Sequence, residues 1–325
     1  MSKATKIWLI TAGALVFIGI LIFGGAMAML NWDISKLSTG KFETNEHTVV
    51  GEYKNIRINT ETANIVFLPS DDEKTSVVCY EAQNAKHSVK IEDGTLTVKI
   101  DDQRKWYEHI GINFTSPKIT VYLPAGEYGE LILRSTTGST DIAKDFRFKS
   151  IDIDKTTGGI HSFASASENI KIKTTTGDIL IEGAEAKNID ISVTTGKISL
   201  AALRCGDLTF KVSTGKATLN DVTCDNLSSD GTTGNVSMNS VIVEHKLRVE
   251  RSTGNVHFDA CDAGEIFVKT STGSVTGTLL TEKVFVVNTG TGRKDVPPTR
   301  GGGKCEITTS TGDIIIKLDT AVPQD

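Results

Sequence analysis

"STTGSTDI", residues Ser135–Ile142, is one of a series of near-copies written along the chain. "KTTGGI" starts at Lys155, "TTTGDI" at Thr174, "VTTGKI" at Val193 and "VSTGKA" at Val212. "GTTGNV", "RSTGNV", "TSTGSV" and "TSTGDI" follow at Gly231, Arg251, Thr270 and Thr309. The glycines that follow threonine are Gly138, Gly158, Gly177, Gly196, Gly215, Gly234, Gly254, Gly273, Gly292 and Gly312, every interval being 19 or 20 residues. A period this constant is the signature of a solenoid, in which each unit buries its apolar face against the next.

Apolar pairs stand seven and five residues before most of these glycines, as in Ile170/Ile172 and Ile189/Ile191, and two and four residues after six of them, as in Ile179/Ile181 and Ile198/Leu200. Both sets alternate with period two, so each unit holds two short strands with one face inward. A third apolar column, Phe146, Ala184, Leu203, Val222, Ile242, Cys261 and Leu280, lies twelve residues before the glycine. Three inward segments per unit describe an all-β parallel β-helix, or solenoid, with coils of about 19 residues.

The glycine is read as a structural corner, where a residue without Cβ takes φ > 0 and lets stacked coils approach closely. The corner set is Gly138, Gly158, Gly177, Gly196, Gly215, Gly234, Gly254, Gly273 and Gly312. The threonine before each glycine should stack on its neighbours and hydrogen-bond along the column. Because adjacent strand residues point to opposite faces, each Ser/Thr-Thr pair should leave one outward column.

A worn copy precedes the series. "NIRINTETANIVF", Asn55–Phe67, keeps the repeat register with Ala63 in the place of the glycine. "HSVKIEDGTLTVKI", His87–Ile100, has Asp93-Gly94 between two alternating runs and reads as a β-hairpin. "KITVYLP", from Lys118, is another strand. Residues 45–130 are therefore an antiparallel N-terminal cap with the first coil, residues 131–320 the repeats and residues 321–325 a tail. The ninth copy, "NTGTGRKDVPPTRGGGKC" from Asn288, loses the apolar pair after Gly292, so a Pro/Gly-rich excursion should leave the coil there.

Ile7–Leu30 is 24 residues without a charge, about 36 Å as a helix and enough to cross a bilayer. Lys3 and Lys6 precede it, which places a cytoplasmic tail at residues 1–6, a transmembrane helix at 7–30, a linker at 31–44 and the rest outside the membrane. Ala26-Met27-Ala28 resembles a signal-peptidase site; a signal's apolar core is usually shorter, which favours a retained anchor.

The run "ITVYLPAGEYGELILRSTTGSTDI", Ile119–Ile142, the serial "TTTGDI" copies and the closing "CEITTSTGDIIIKL" resemble the bacterial putative-adhesin β-solenoid family, over roughly residues 45–320. The resemblance implies the solenoid fold and an envelope or surface protein of the bacterial cell, and it supplies no catalytic motif.

Composition suggests small residues, β-branched residues and turns in place of a helical globule. Of 325 residues, 30 are glycine and only 6 proline, and the formal charge of −5 gives no electrostatic case for nucleic acid. A glycan-processing site on a β-helix would need carboxylates stacked on adjacent coils. The column after each glycine instead reads Ser139, Gly159, Asp178, Lys197, Lys216, Asn235, Asn255, Ser274, Arg293, Asp313, in which Asp178 and Lys197 form a candidate surface ion pair. The six histidines lack metal-ligand spacing, and no cofactor fingerprint occurs. No catalytic, metal or cofactor residue is assigned.

Three features remain. Cys205 and Cys224 lie 19 apart and should stack, as a candidate disulfide or as two small core thiols. Cys79, Cys261 and Cys305 read as core fillers. Trp106, Tyr107, His109 and Phe114 group in a non-repeat segment as candidate partner-contact residues. The expected function is thus a non-enzymatic, single-pass envelope protein that presents its solenoid to another envelope protein or a wall polymer. The alternatives are a polysaccharide-processing enzyme on the same scaffold and a passive spacer.

Overall fold

The computed structural model describes residues 2–33, 41–104, 115–299 and 301–319. A helix, Lys3–Met29, is capped by Ser2, whose hydroxyl accepts the Thr5 N–H at 3.2 Å. It is long and apolar enough to cross a membrane. The other regular elements are strands.

The repeats form a parallel β-solenoid whose ladders run in register from coil to coil. Between Ser165–Thr176 and Glu185–Thr195, Ile170 lies on Ile189 and Ile172 on Ile191, while Lys171 lies on Asp190. The isoleucines are at most 1% exposed, and the polar residues between them face out. Period-two alternation of β-branched and polar residues suits such a pleat, because each inward side chain meets its copies above and below. The interior is thus a continuous apolar column that also takes in Phe146, Phe148, Phe210 and Phe258. From Ile198 onward, the strands Ile198–Thr214, Ala217–Thr233, Val236–Thr253 and Val256–Thr272 each run from one corner glycine to the next.

The third inward column differs from expectation in two coils. Val241, not Ile242, lies on Val222 and is buried, whereas Ile242 is 38% exposed. This coil has 20 residues, and its extra residue falls after the column, at a shift of pairing beyond Cys224. Counting back from Gly254 therefore lands one position late. Similarly, Leu279 rather than Leu280 lies under Cys261, past a register shift after Phe258.

Five consecutive coils also have a second corner, six residues after the first. It is held in the left-handed region by Gly183 (φ 68°), Ala202 (51°), Asp221 (53°), Ser240 (53°) and Ala260 (49°). Because the residue type varies, the position leaves no visible motif.

Both ends depart from simple stacking. The strand Asn55–Thr62 lies between Gly126–Thr137 and Thr95–Asp102, parallel to both. Asn64–Pro69 likewise lies between Thr140–Ile142 and Lys118–Leu123. The first coil in sequence is therefore the second layer in space. Antiparallel pairing closes the outermost layer: Ala85–Glu92 with Thr95–Asp102, Ser76–Ala82 with Lys118–Leu123, and Phe42–Thr48 beyond Ser76–Ala82.

The other end mirrors this. Gly303–Thr311 pairs with Val256–Thr272 on one side and Lys283–Thr291 on the other, so the last coil is slipped beneath the one made before it. The ninth copy is the outermost layer. Lys294 and Asp295 remain in the ladder, opposite Ile314 and Ile315, and the chain leaves the coil at Val296 rather than directly after Gly292. Lys294 replaces the usual inward apolar residue because, among the described residues, no strand covers this layer. The loop returns across it, and Thr299 Oγ1 accepts the Phe285 N–H at 3.3 Å.

Candidate functional site

The column after the corner glycines, where a stacked-carboxylate site would lie, is engaged in bonding between coils. Its side-chain oxygens accept the backbone N–H of the same position one coil on: Asn64 from Ser139 (2.8 Å), Asp178 from Lys197 (2.8 Å), Asn235 from Asn255 (2.9 Å) and Asn255 from Ser274 (2.9 Å). At the inverted end Asp313 accepts from Arg293 at 2.8 Å. Asp178 therefore meets the Lys197 amide, not its ammonium group, and the expected ion pair gives way to a turn cap. Asp152 is held by Arg134 at 2.7 Å.

The corner is built from backbone more than from threonine hydroxyls. The Gly177 N–H donates to the Thr195 carbonyl at 3.0 Å, and Gly196 donates to Thr214 at 3.0 Å. Among the described residues no hydroxyl in the Thr column before the glycines bonds to its neighbour, so the column does not bond along itself as expected. Both members of most Ser/Thr-Thr pairs are exposed, Thr175 with Thr176 and Thr194 with Thr195, because the chain bends outward just before the glycine. Strict alternation had left one outward column.

The residue three before the glycine points inward and serves the corner instead. Lys155 Nζ donates to the Gly138 carbonyl and, at 2.9 Å, to Thr140 Oγ1. Thr270, Thr289 and Thr309 donate to the carbonyls of Gly254 (3.3 Å), Gly312 (2.9 Å) and Gly273 (3.0 Å). Burial lowers the Lys155 amine to about 8, against a weaker opposing pull from Asp141. Arg251 occupies the same column and is 5% exposed. Its Nη2 donates to Ser229 Oγ at 2.6 Å, while Nε and Nη1 have no hydrogen-bond partner among the described residues.

A buried polar cluster lies in the cap. Glu81 Oε2 accepts both the backbone N–H and Nδ1–H of His87, each at 2.6 Å. Asn45 Nδ2 donates to Glu81 Oε1 at 2.8 Å, and Thr60 Oγ1 meets His87 Nε2 at 2.9 Å. Cys79 lies beside Glu81, its thiol pushed up to about 12 by burial and then by the Glu81 charge. A cavity of about 210 Å³ adjoins His87 and is also lined by Phe42, Thr62, Ile100, Arg104 and Ser116. Histidine spacing did not signal this cluster, because only one member is a histidine and the fold gathers the rest.

Cys205 and Cys224 lie opposite each other on adjacent coils, and both are free thiols. Hydrogen bonding to Cys205 and burial raise the Cys224 thiol. Cys79, Cys261 and Cys305 are fully buried. Trp106, Tyr107, His109 and Phe114 lie outside the described residues. The nine corner glycines occupy equivalent places with φ between 119° and 152°.

The family profile described as Toastrack DUF4097 matches residues 53–223, more than half of the chain. The chain belongs to the Toastrack DUF4097 family. Among solved structures, a "putative adhesin" from Parabacteroides merdae ATCC 43184 is similar at 13% identity, with a TM-score of 0.49, over 72% of this Toastrack chain and 96% of its own. A "putative adhesin" from Parabacteroides distasonis ATCC 8503 aligns at 12% identity and TM-score 0.45, over 84% and 98%. A "putative lipid binding protein" from the same organism aligns at 13% and 0.42, over 86% and 98%. No curated protein matches the sequence.

Proposed function

We propose that this Toastrack chain is a non-enzymatic protein of the bacterial cell envelope. In this reading it is held by its N-terminal helix as a single-pass anchor with the N-terminus in the cytoplasm. The solenoid faces outward and presents its surface to another envelope protein or to a wall polymer. The observation that carries the reading is the use of Asp178 as a backbone cap: the carboxylate best placed to open a stacked catalytic column is engaged in coil-to-coil bonding. The apolar helix and the two exposed lysines at its N-terminal end, Lys3 and Lys6, support the anchored topology.

The test is photo-crosslinking in intact cells, with the probe at Trp106 and separately at Lys197, followed by mass spectrometry. A discrete protein adduct supports an assembly or regulatory role, and an adduct to wall polymer supports adhesion. Absence of adducts at both positions sinks the proposal and leaves a passive spacer.

A further inference from the structure

The cap gathers three side chains of the kinds that bind transition metals. Cys79 and Glu81 are two residues apart on Ser76–Ala82 and so share a face. His87 comes from the next strand, Ala85–Glu92, which folds back against them. The sulfur, a carboxylate oxygen and a ring nitrogen all lie within 4.8 Å of one another. The three residues are 0%, 1% and 4% exposed.

We propose that Cys79, Glu81 and His87 form a zinc site, binding through Sγ, Oε2 and Nδ1. Zinc takes thiolate sulfur at about 2.3 Å and nitrogen or oxygen at about 2.0–2.2 Å, and sites with three protein ligands keep a position for water. The shared hydrogen bond holds Nδ1 and Oε2 2.6 Å apart. With zinc in place of that proton, the two atoms must separate by less than about 1 Å to reach tetrahedral spacing.

Charge favours the exchange. Once the Cys79 thiol has released its proton to solvent, one thiolate, one carboxylate, a neutral imidazole and a doubly charged ion sum to zero, which suits a buried site. The thiolate selects zinc over magnesium or calcium, which prefer oxygen. The surroundings are those that orient metal ligands: Asn45 holds the second Glu81 oxygen, and Thr60 Oγ1 sits at 2.9 Å from Nε2, ready to accept its proton once Nδ1 ligates. The site stands independently of the proposed envelope role.

The experiment uses the full chain in detergent, loaded with zinc chloride, desalted and assayed for zinc by mass spectrometry. One zinc per chain is expected in the unmodified protein and in His257→Gln, which lies outside the cap. The ratio should fall at least tenfold in Cys79→Ser and in His87→Gln. As either variant can unfold the cap, a second measurement leaves the chain unchanged and substitutes cobalt(II). A thiolate-to-cobalt charge-transfer band displaced by excess zinc is expected. Failure to retain zinc, full retention by both cap variants, or a cobalt spectrum without the thiolate band would each overturn the site and leave the cluster held by protons alone.

Discussion

Gly215 sits directly against the carbonyl of Gly196: a β-carbon on Gly215 would lie 1.8 Å from that oxygen and 2.8 Å from its carbon. Its φ of 141° is also one that side-chain-bearing residues rarely adopt. Clash and strain fall on backbone, which cannot rotate away. Gly215→Ala should therefore cost about 3 kcal/mol or more, at the upper end of single substitutions. Urea denaturation followed by circular dichroism checks it, and a loss under about 1 kcal/mol would refute the close-approach account.

Lys155 makes stability depend on pH in the alkaline range. Burial lowers its folded-state value to about 8 from an ordinary 10.5, so between those values the unfolded chain binds the proton more tightly. Stability should then rise as pH increases from about 8 to 10.5, by at most about 1.4 kcal/mol per unit. Below about pH 8 the protonated amine imposes a constant cost. Denaturation midpoints across this range should climb in the natural chain and climb less in Lys155→Met; parallel profiles would rule the amine out as the cause.

Arg251 is a buried cation with two unpartnered nitrogens, and a well-packed apolar side chain of similar length avoids the desolvation it incurs. Arg251→Met should raise stability by about 1 kcal/mol, read from the denaturant midpoint at unchanged slope. A drop of that size would instead mean that the Ser229 bond outweighs the burial of charge.

Asp178→Asn keeps an oxygen where the Lys197 amide needs one, and Asn235 and Asn255 already fill that role in other coils. Thermal stability should be unchanged to within about 0.5 kcal/mol, while Asp178→Ala should lose about 1 kcal/mol with the cap. If Asp178→Asn abolished an activity on cell-wall glycans while leaving the fold intact, the enzymatic reading would return.

The ladder was legible in sequence because its signal repeats. Gly177, Gly196 and Gly215 recur with their apolar flanks because backbone clash allows no substitute, and the inward isoleucines recur because each packs on its own copy. The second corner was not legible: Ala202, Asp221 and Ser240 share a backbone conformation but no side chain. Count-back placed Ile242 in the core because a residue was inserted between it and Gly254. The swapped layers at the ends left no trace either, since a coil's sequence says what it packs against but not which neighbour in the chain supplies it. For the cap cluster, Glu81 and Cys79 had no motif; only the tight turn from Ala82 to Ala85 brings them to His87.

The swap at the far end changes where the rod comes apart. Ile314–Leu318, the last described strand, is gripped on one edge by Val275–Leu279 and on the other by Lys294–Asp295. Unzipping from that tip starts with Lys283–Thr291 and Lys294–Asp295, which precede Ile314–Leu318 in the chain and have a ladder on one side only. Amide hydrogens of Ile314 and Ile315 should consequently exchange more slowly than those of 283–291, reversing the usual gradient toward a chain terminus. Protection here follows position in the stack, not distance from the end of the polypeptide.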